Sequence, residues 1–487
     1  MAGSIGQKDN LHLMEAVPFT SYDGQEEHPA LSPEGSRVAF SWNGKDGEGY
    51  DIYVKQPNAD EPLRLTDDPA FESHPSWSPD GTSIAFIREG EADTLYAVPS
   101  LGGPARQLYA AASWIQSLDW SPAGETIVFS ARHPGEESLR LFSLDLATGE
   151  ALPLTDAASA FQSDYSPRVS PDGRRIAFSA ETFADCADDF ACTQKRLDER
   201  KEAKASGVVY EQLFVRHWDT WKDGRRSRLF VADLPADAAA KPVSAARGIS
   251  HALDGDVPSK PFGDAGDYTW APDGGSVVAS IRVAGREEPW STNFDLYRLP
   301  VADGAPVNLT EANKAWDAGP VFSADGATLY YRAMKRPGFE ADRYTIMAMD
   351  LASGATREIA PDWDRSPSSL EPSADGRSLY AAAQSMGEYP LFRIDLASGE
   401  VTEIVGDGSV SAYEVAGSSL VLTRNALDTG DVLYAASPDG EGLRAITQTA
   451  AERLPEVRFG AFEQFDFRGA GNEVVHGYVV KPWNYEE

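Results

Sequence analysis

One polar and aromatic stretch, FVRHWDTWKDG, is the part of the sequence best suited to hold a small ligand. Arg216, His217, Trp218, Asp219 and Trp221 fall within six positions of it. A guanidinium presents a rigid fork of donors that suits a carboxylate or carbonyl oxygen, and Asp219 suits a free α-amine. In one continuous strand, alternation would place Arg216 with Trp218, and His217 with Asp219 and Trp221. The structural alternative is that the tryptophans pack between elements while Arg216 and Asp219 form a tie.

A second candidate stretch is GREEPWSTNFDLY, in which Glu287, Glu288, Trp290 and Asn293 occupy a loop between two predicted strands. Two carboxylates beside an indole and an amide are suited to bind the polar end of a short peptide. Adjacent glutamates in a turn are more commonly a solvated charged pair. We therefore consider these residues candidates for substrate binding and leave the solvated alternative open.

The sequence contains no residues in a pattern that predicts catalysis. A serine hydrolase needs a G-x-S-x-G nucleophile elbow followed by an aspartate and a histidine, and no such elbow occurs. There is no H-E-x-x-H motif and no cluster of cysteine and histidine, so we expect neither a metal nor another cofactor. We accordingly predict no catalytic residue in this chain.

Charge and hydropathy exclude several classes of partner. With 43 Lys and Arg against 76 Asp and Glu, the 487-residue chain has a formal charge of −33, which argues against nucleic acid and anionic membrane surfaces. No apolar run approaches the roughly 20 residues of a membrane span. Residues 1–10 lack the apolar region of a signal peptide, so the chain is either cytoplasmic or a form from which a signal was removed.

The only two cysteines, Cys186 and Cys192, lie in the segment DCADDFACTQ. A loop this short can close a disulfide if the chain bends. Since no other thiol competes, a disulfide is the favoured interpretation, and it indicates an oxidising compartment, periplasmic or extracellular.

A four-residue phrase recurs along the chain and predicts a repeat fold. Its first residues are Ser32, Ser78, Ser121, Ser170, Ala271, Ser323 and Ser373. Proline, aspartate and glycine in this order are typical of a type I turn, and runs such as SIAFIR that follow it are strands. Further strands and short polar turns make four strands in about 45 residues, the period of a propeller blade.

The repeat predicts an all-β propeller with eight blades, the eighth lacking the turn phrase, and seven blades with an irregular closing sheet as the alternative. The double gap between Ser170 and Ala271 shows that blade four carries an insertion, at about residues 181–212, with both cysteines and a charged segment of weak helical character. Insertions in repeat proteins often lie on the functional face.

The repeat unit, LFVRHWDTW after a cysteine-containing insertion, and WSTNFDLY together resemble the propeller of the prolyl oligopeptidase family of serine peptidases. Within it, the dipeptidyl peptidase 5 and acylaminoacyl peptidase branch is the most similar. In the broader family carboxylates anchor the peptide's N-terminus, which is the role the resemblance implies for Glu287 and Glu288. It also implies that FDFRGAGNEVVHGYVVKPW begins an α/β-hydrolase domain, whose catalytic triad is not in this chain.

These observations predict three regions: an N-terminal segment (1–23), the propeller (24–450) and the start of a hydrolase domain (451–487). The predicted function is that of a gating and substrate-selecting domain of a serine exopeptidase, with short peptides and the hydrolase domain as partners. The alternative is a stand-alone propeller of the TolB type that binds a protein or peptide. An apolar strand such as VVHGYVV favours the first, because an independent propeller would expose it as an aggregation-prone edge.

Overall fold

The computed structural model of the chain is a ring of eight four-stranded antiparallel sheets. The prediction of an eight-bladed propeller is confirmed, and the seven-bladed alternative is wrong. The structure describes residues 26–33, 37–44, 49–56, 61–111, 114–121, 124–132, 139–153, 167–204, 207–210, 213, 215–217, 220–234, 246–260, 263–416, 419–446 and 458–485.

Each blade is built from strands that follow one another along the chain. Blade one comprises β1 (Glu26–Leu31), β2 (Val38–Trp42), β3 (Asp51–Lys55) and β4 (Leu63–Arg64), and blade two comprises β5 (Glu72–Trp77), β6 (Ser83–Arg88), β7 (Thr94–Pro99) and β8 (Arg106–Ala110). Blade three comprises β9 (Ile115–Trp120), β10 (Thr126–Arg132), β11 (Leu139–Asp145) and β12 (Ala151–Pro153). Blade four comprises β13 (Arg168–Val169), β14 (Arg175–Phe183), β17 (Arg225–Asp233) and β18 (Arg247–Gly248). Blade five comprises β19 (Tyr268–Trp270), β20 (Ser276–Ile281), β21 (Asp295–Pro300) and β22 (Val307–Asn308), and blade six comprises β23 (Asp317–Phe322), β24 (Thr328–Ala333), β25 (Thr345–Asp350) and β26 (Thr356–Ile359). Blade seven comprises β27 (Glu371–Pro372), β28 (Ser378–Ala382), β29 (Leu391–Asp395) and β30 (Val401–Val405). Blade eight comprises β31 (Ser409–Ala416), β32 (Ser419–Asn425), β33 (Val432–Ala436) and β34 (Arg444–Ala445). The first strands of neighbouring blades lie against one another, so they form the inner wall of the ring.

The recurring turn phrase joins the first and second strands of a blade, and its residue types follow from its hydrogen bonds. In blade two the Ser78 hydroxyl donates to Asp80 Oδ1 (2.6 Å) and accepts the backbone N–H of Ser83 (3.0 Å). Asp80 also accepts the N–H of Thr82, and Gly81 adopts φ 69°, which disfavours residues with a Cβ. The phrase is thus a structural turn, and it lies at the end of the ring opposite to the connections between second and third strands.

Hydrophobic packing between blades holds the ring together. Each of the eight seams has its own cluster of buried residues, and the second strands contribute fully buried phenylalanines such as Phe86, Phe129 and Phe178. The seam that closes the ring packs Phe40 and Trp42 of blade one against Leu433 and neighbours of blade eight. In the described part of the chain no sheet combines strands from both termini.

The insertion of blade four leaves its sheet later than expected. Strands β14 and β17 pair over their full nine residues, so the excursion occupies residues 184–224. It contains helix α1 (Phe190–Glu202), whose N-cap Asp189 accepts the N–H of Cys192, and the strands β15 (Arg216–His217) and β16 (Thr220–Trp221). Cys186 and Cys192 form a disulfide, which confirms that prediction and ties the start of the helix to the end of β14.

Candidate functional site

Two short strands of the stretch FVRHWDTW, Arg216–His217 and Thr220–Trp221, pair in antiparallel fashion, so the expectation of one continuous alternating strand is wrong. Arg216 pairs with Trp221 and His217 with Thr220 across β15 and β16. Cross-strand partners share a face, so Arg216 lies beside Trp221, with its guanidinium carbon 5.5 Å from the centre of the indole. Trp221 is 59% exposed, which leaves its ring accessible to a ligand.

The other two residues of this stretch, Trp218 and Asp219, lie outside the described residues. Their proposed roles in binding therefore stay predictions. His217 is partly buried. Tyr210 stacks on Trp221, with ring centres 6.0 Å apart.

The structure brings the two candidate stretches together, although they are distant in sequence. Lys222 follows β16 directly, and its ammonium lies 2.5 Å from Oε1 of Glu288 in the loop between β20 and β21. Both connections join a second strand to a third, so both emerge at the same end of the propeller. They form one site at the junction of blades four and five, which we call the blade 4–5 mouth (residues 215–217, 220–222 and 282–294).

Glu288 is the centre of an ion-pair network in this mouth. Its carboxylate accepts two hydrogen bonds from the Arg226 guanidinium, at 3.0 and 2.9 Å, in addition to that from Lys222. Arg226 also pairs with Asp256 at 2.8 Å and with Asp254 at 3.2 Å. The network joins β17 of blade four to the loop of blade five, so it fixes the position of both candidate stretches.

The protonation of Glu288 follows from these contacts. Burial by itself would raise its pKa, since the side chain is only 7% exposed. The hydrogen bonds and positive charges of Arg226 and Lys222 outweigh burial and lower the pKa from 4.5 to about 2. Glu288 is therefore an anion with both oxygens engaged, an arrangement that suits a positioning residue.

The remaining residues of the second stretch are arranged differently. Glu287 is exposed in the short 3₁₀ turn Gly285–Glu287, and Trp290 is 70% exposed. Asn293 is partly buried, with its side-chain amide 3.5 Å from Asp295. An accessible carboxylate and an accessible indole thus stand beside the buried network.

A neighbouring set of charges anchors the insertion. Arg225 pairs with Glu181 at 3.0 Å and with Asp223 at 2.7 Å, and Lys260 also contacts Glu181. These residues and Arg226 were not among the candidates predicted from the sequence. The consecutive charges of KDGRR, directly after the aromatic stretch, are the sequence feature that could have indicated an ion-pair network.

The C-terminal hairpin lies at the same end of the ring. It consists of β35 (Phe462–Arg468) and β36 (Val474–Val480), paired from Phe462 opposite Val480 to Arg468 opposite Val474. It contacts the connection between β28 and β29, where Gln464 donates to the carbonyl of Met386 (3.1 Å) and the Tyr478 ring covers Gly387. This connection again joins a second strand to a third.

One face of the hairpin mixes polar and apolar residues, and the other is mainly apolar. Gln464 and Tyr478 are opposite each other and share the face toward the propeller with Asp466 and His476, which contact each other at 2.5 Å. The same face carries Phe462, Val474 and Val480, which are 39, 45 and 60% exposed. Alternation puts Phe465, Phe467, Val475 and Val479 on the other face, where they are 43, 51, 37 and 39% exposed. We call these four residues the apolar hairpin face.

Two further features concern metal binding and membrane spanning. Among the residues that the structure describes, no three His, Cys, Asp or Glu side chains converge as a metal site. Over the same residues, no helix combines the length and the apolar character that crossing a membrane requires.

Comparison with known proteins finds relatives that are named as peptidases. A family model described as the TolB beta propeller domain matches residues 10–187. Dipeptidyl-peptidase 5 of Porphyromonas gingivalis is 24% identical over 388 residues, and that of Aspergillus fumigatus is 28% identical over 311. The chain is a relative of the dipeptidyl-peptidases 5. The alignments cover 70% and 58% of this chain.

Solved structures with the same fold are also peptidases. The chain matches dipeptidyl peptidase 4 of Porphyromonas gingivalis with a TM-score of 0.59, covering 95% of this chain and 66% of that one, at 14% identity. Acylaminoacyl peptidase of Pyrococcus horikoshii matches with a TM-score of 0.54 over 95% of this chain and 58% of that one, at 16% identity. These likenesses show the fold. Together with the sequence matches they confirm the resemblance inferred from the sequence.

The chain spans about half the length of the curated relatives it matches: 55% of the bacterial dipeptidyl-peptidase 5 and 42% of the fungal one. The activity of those whole proteins therefore cannot be assigned to this chain from the alignments alone.

Proposed function

We propose that this propeller is the gating and substrate-selecting domain of a serine exopeptidase, a dipeptidyl or acylaminoacyl peptidase, and that it acts with an α/β-hydrolase domain. The apolar hairpin face is the observation that carries the proposal. Four apolar side chains stand exposed on a hairpin that lies at the same end as the blade 4–5 mouth. A catalytic domain that covers this face would also cover the mouth, so substrate would reach the catalytic serine past it.

The blade 4–5 mouth suits the end of a short peptide. Trp221 and Trp290 offer exposed aromatic surface, and Arg216 offers a guanidinium held beside an indole. Glu287 is the carboxylate exposed for a peptide α-amine, while Glu288, bonded to Arg226 and Lys222, holds the loop in place. Asp219, Trp218, His217 and Asn293 remain proposed contributors to the same site.

The alternative, a stand-alone TolB-type propeller, is favoured by the family model that matches residues 10–187. It gives no role to the apolar hairpin face. The disulfide between Cys186 and Cys192 supports a periplasmic or extracellular location under either proposal.

Residues 1–487 alone are expected to lack peptidase activity. Because the sequence has no nucleophile elbow, the purified chain should not hydrolyse dipeptidyl or acylaminoacyl chromogenic substrates. It should also resist a fluorophosphonate probe, which labels activated serines. Mass spectrometry after incubation with the probe provides the measurement, with a known serine peptidase as positive control. A labelled serine anywhere in the chain would contradict the prediction.

The substitution Arg216→Ala should weaken substrate use in the complete enzyme, meaning the propeller together with its hydrolase domain. Arg216 is exposed beside Trp221, so its loss should lower kcat/KM by about tenfold, as expected for one charged hydrogen bond, while leaving the melting temperature nearly unchanged. Steady-state kinetics and thermal unfolding measure the two effects.

The matched control for this prediction is Arg377→Ala. Arg377 is 84% exposed at a turn on the opposite end of the ring, so its loss should change neither quantity. A melting temperature lowered by several degrees in Arg216→Ala, with unchanged kcat/KM, would show that Arg216 is only a structural tie.

A further inference from the structure

Two carboxylates are buried together at the seam between blades five and six. Asp295 begins β21 and is 6% exposed, and Asp317 begins β23 and is fully buried. The backbone N–H of Asp317 donates to the carbonyl of Phe294 (2.8 Å), which places the two aspartates side by side. One oxygen of each, Oδ1 of Asp295 and Oδ2 of Asp317, is buried without a hydrogen-bond partner among the described residues.

The other oxygen of each carboxylate is bonded to a neutral amide. Asp295 Oδ2 accepts from Asn308 (2.8 Å), and Asp317 Oδ1 accepts from Asn313 (2.8 Å). The lysine of this loop, Lys314, is exposed, and its ammonium bonds the backbone carbonyl of Glu311. Two buried negative charges at one place are expensive unless a positive charge accompanies them.

The seam between blades one and two has the same architecture, and there each of the two buried carboxylates is neutralised by an arginine. Asp51 and Glu72 occupy the corresponding positions, and Glu72 N–H donates to the carbonyl of Tyr50 (2.8 Å). There, Arg64 pairs with Asp51 at 2.5 Å and Arg88 pairs with Glu72 at 2.5 Å. Each carboxylate of this seam has its own guanidinium.

Blade five and blade six carry neither arginine. Asn308 pairs with Tyr297 in the register position that Arg64 takes opposite Tyr53. Ala333 pairs with Asp317 where Arg88 pairs with Glu72. The seam therefore keeps both carboxylates and has lost both of the cations that neutralise them elsewhere.

One amide oxygen borders the pair. The Asn293 amide nitrogen donates to the carbonyl oxygens of Ala315 (3.1 Å) and Asn313 (3.2 Å). This orientation turns the Asn293 amide oxygen toward Asp295 Oδ2, at 3.5 Å. Carboxylates combined with amide and backbone carbonyl oxygens are the ligands that a hard divalent cation of the calcium class takes.

We propose that the seam between blades five and six binds one calcium-class divalent cation, with the unpartnered oxygens of Asp295 and Asp317 supplying the charge and the amide oxygen of Asn293 adding a neutral ligand. The cation would replace the two guanidinium groups of the blade 1–2 seam. Asn293 and Asp295 end the loop that carries Glu287, Glu288 and Trp290, so cation binding would also order this side of the mouth.

A proton is the competing way to neutralise the pair. Burial raises the pKa of Asp317 to about 7, against the hydrogen bonds from Asn313 and Thr310, and burial also raises the pKa of Asp295. The phenol of Tyr331 also faces Asp317 and carries no charge at neutral pH, since burial raises its pKa too. An experiment on the site must therefore separate a bound cation from a protonated carboxyl.

The test uses the 487-residue chain, stripped with a chelator at pH 7.5 and titrated with CaCl₂. Calcium should raise the melting temperature by several degrees, and the same concentration of MgCl₂ should raise it less. Terbium should bind in the place of calcium and emit on tryptophan excitation, because Trp316 precedes Asp317 and stacks on Phe294 with ring centres 4.4 Å apart. Excess calcium should remove this emission.

Three variants decide the interpretation. Asp317→Asn should abolish both responses, and Ala333→Arg should do so while keeping the calcium-free melting temperature at or above that of the wild type. Asp325→Asn, which removes an exposed turn carboxylate, should leave both responses intact and controls for adventitious binding to this acidic chain. A wild-type melting temperature that calcium does not change would overturn the proposal. So would terbium emission that persists in Ala333→Arg, a variant that remains informative if Asp317→Asn does not fold.

Discussion

Glu288→Gln is expected to destabilise the propeller by about 3 kcal/mol, the cost of removing one partner from a buried ion pair. The carboxylate is 7% exposed and bonds both Arg226 and Lys222, and the substitution leaves these two cations facing a neutral amide. Asp256 and Asp254 continue to hold Arg226, which keeps the loss at the lower end of the range for such pairs. Urea unfolding followed by tryptophan fluorescence measures the change.

The adjacent glutamate provides a matched control. Glu287 is exposed, so Glu287→Gln should leave the unfolding midpoint unchanged, although the charge change is the same. Equal midpoints for the two variants would contradict the assignment of the network to Glu288.

Acid should reveal the same interaction in the wild-type protein. Because the pKa of Glu288 is about 2 in the fold and 4.5 as the ordinary value, its contribution is complete above about pH 5. That contribution is lost as the pH falls from there toward 2, where the folded protein also takes up the proton. The difference in stability between wild type and Glu288→Gln should therefore shrink over this range, and unfolding midpoints at several pH values measure it.

The fold could be predicted from the sequence because each blade carries a sequence signal within a few neighbouring residues. The serine, aspartate and glycine of the turn phrase are needed by hydrogen bonds and a positive φ within five residues, so every copy is an independent signal. The apolar residues after it are fully buried because the second strand lies between two neighbours of its own sheet and two neighbouring blades. Seven copies of this phrase, with an eighth unit that keeps the strands but lacks the phrase, indicate the number of blades.

The site was accessible only in part, because its decisive contacts join residues that are far apart in the chain. Arg216, Trp221, Glu288 and Trp290 were singled out by residue type, and the structure brings their two segments together through Lys222. The pairing of Glu288 with Arg226 depends on the angle between two blades, which no local pattern records. The pairing of Arg216–His217 with Thr220–Trp221 was misread as one strand because alternation alone does not show where a chain reverses.

Phe467→Asp should abolish most of the activity of the complete enzyme while leaving the propeller itself intact. Phe467 stacks against Phe465, with ring centres 6.1 Å apart, on the apolar hairpin face, and it is 51% exposed in this chain. If the hydrolase domain covers this face, the substitution buries an unpaired carboxylate at the interface, at a cost of several kcal/mol. We expect kcat/KM to fall at least tenfold and limited proteolysis to cleave between the domains more readily.

The stability of the propeller itself should not change, because the Phe467 side chain faces away from Met386 and Gly387, where the hairpin meets blade seven. The melting temperature of residues 1–487 should therefore be equal with and without Phe467→Asp. Leu101→Asp is the matched control: Leu101 is 76% exposed in the connection between β7 and β8 of blade two, at the opposite end of the ring, and its substitution should affect neither activity nor domain contact. Full activity in Phe467→Asp would show that no catalytic domain covers the hairpin, and it would favour the stand-alone propeller, in which a binding partner engages the ring elsewhere.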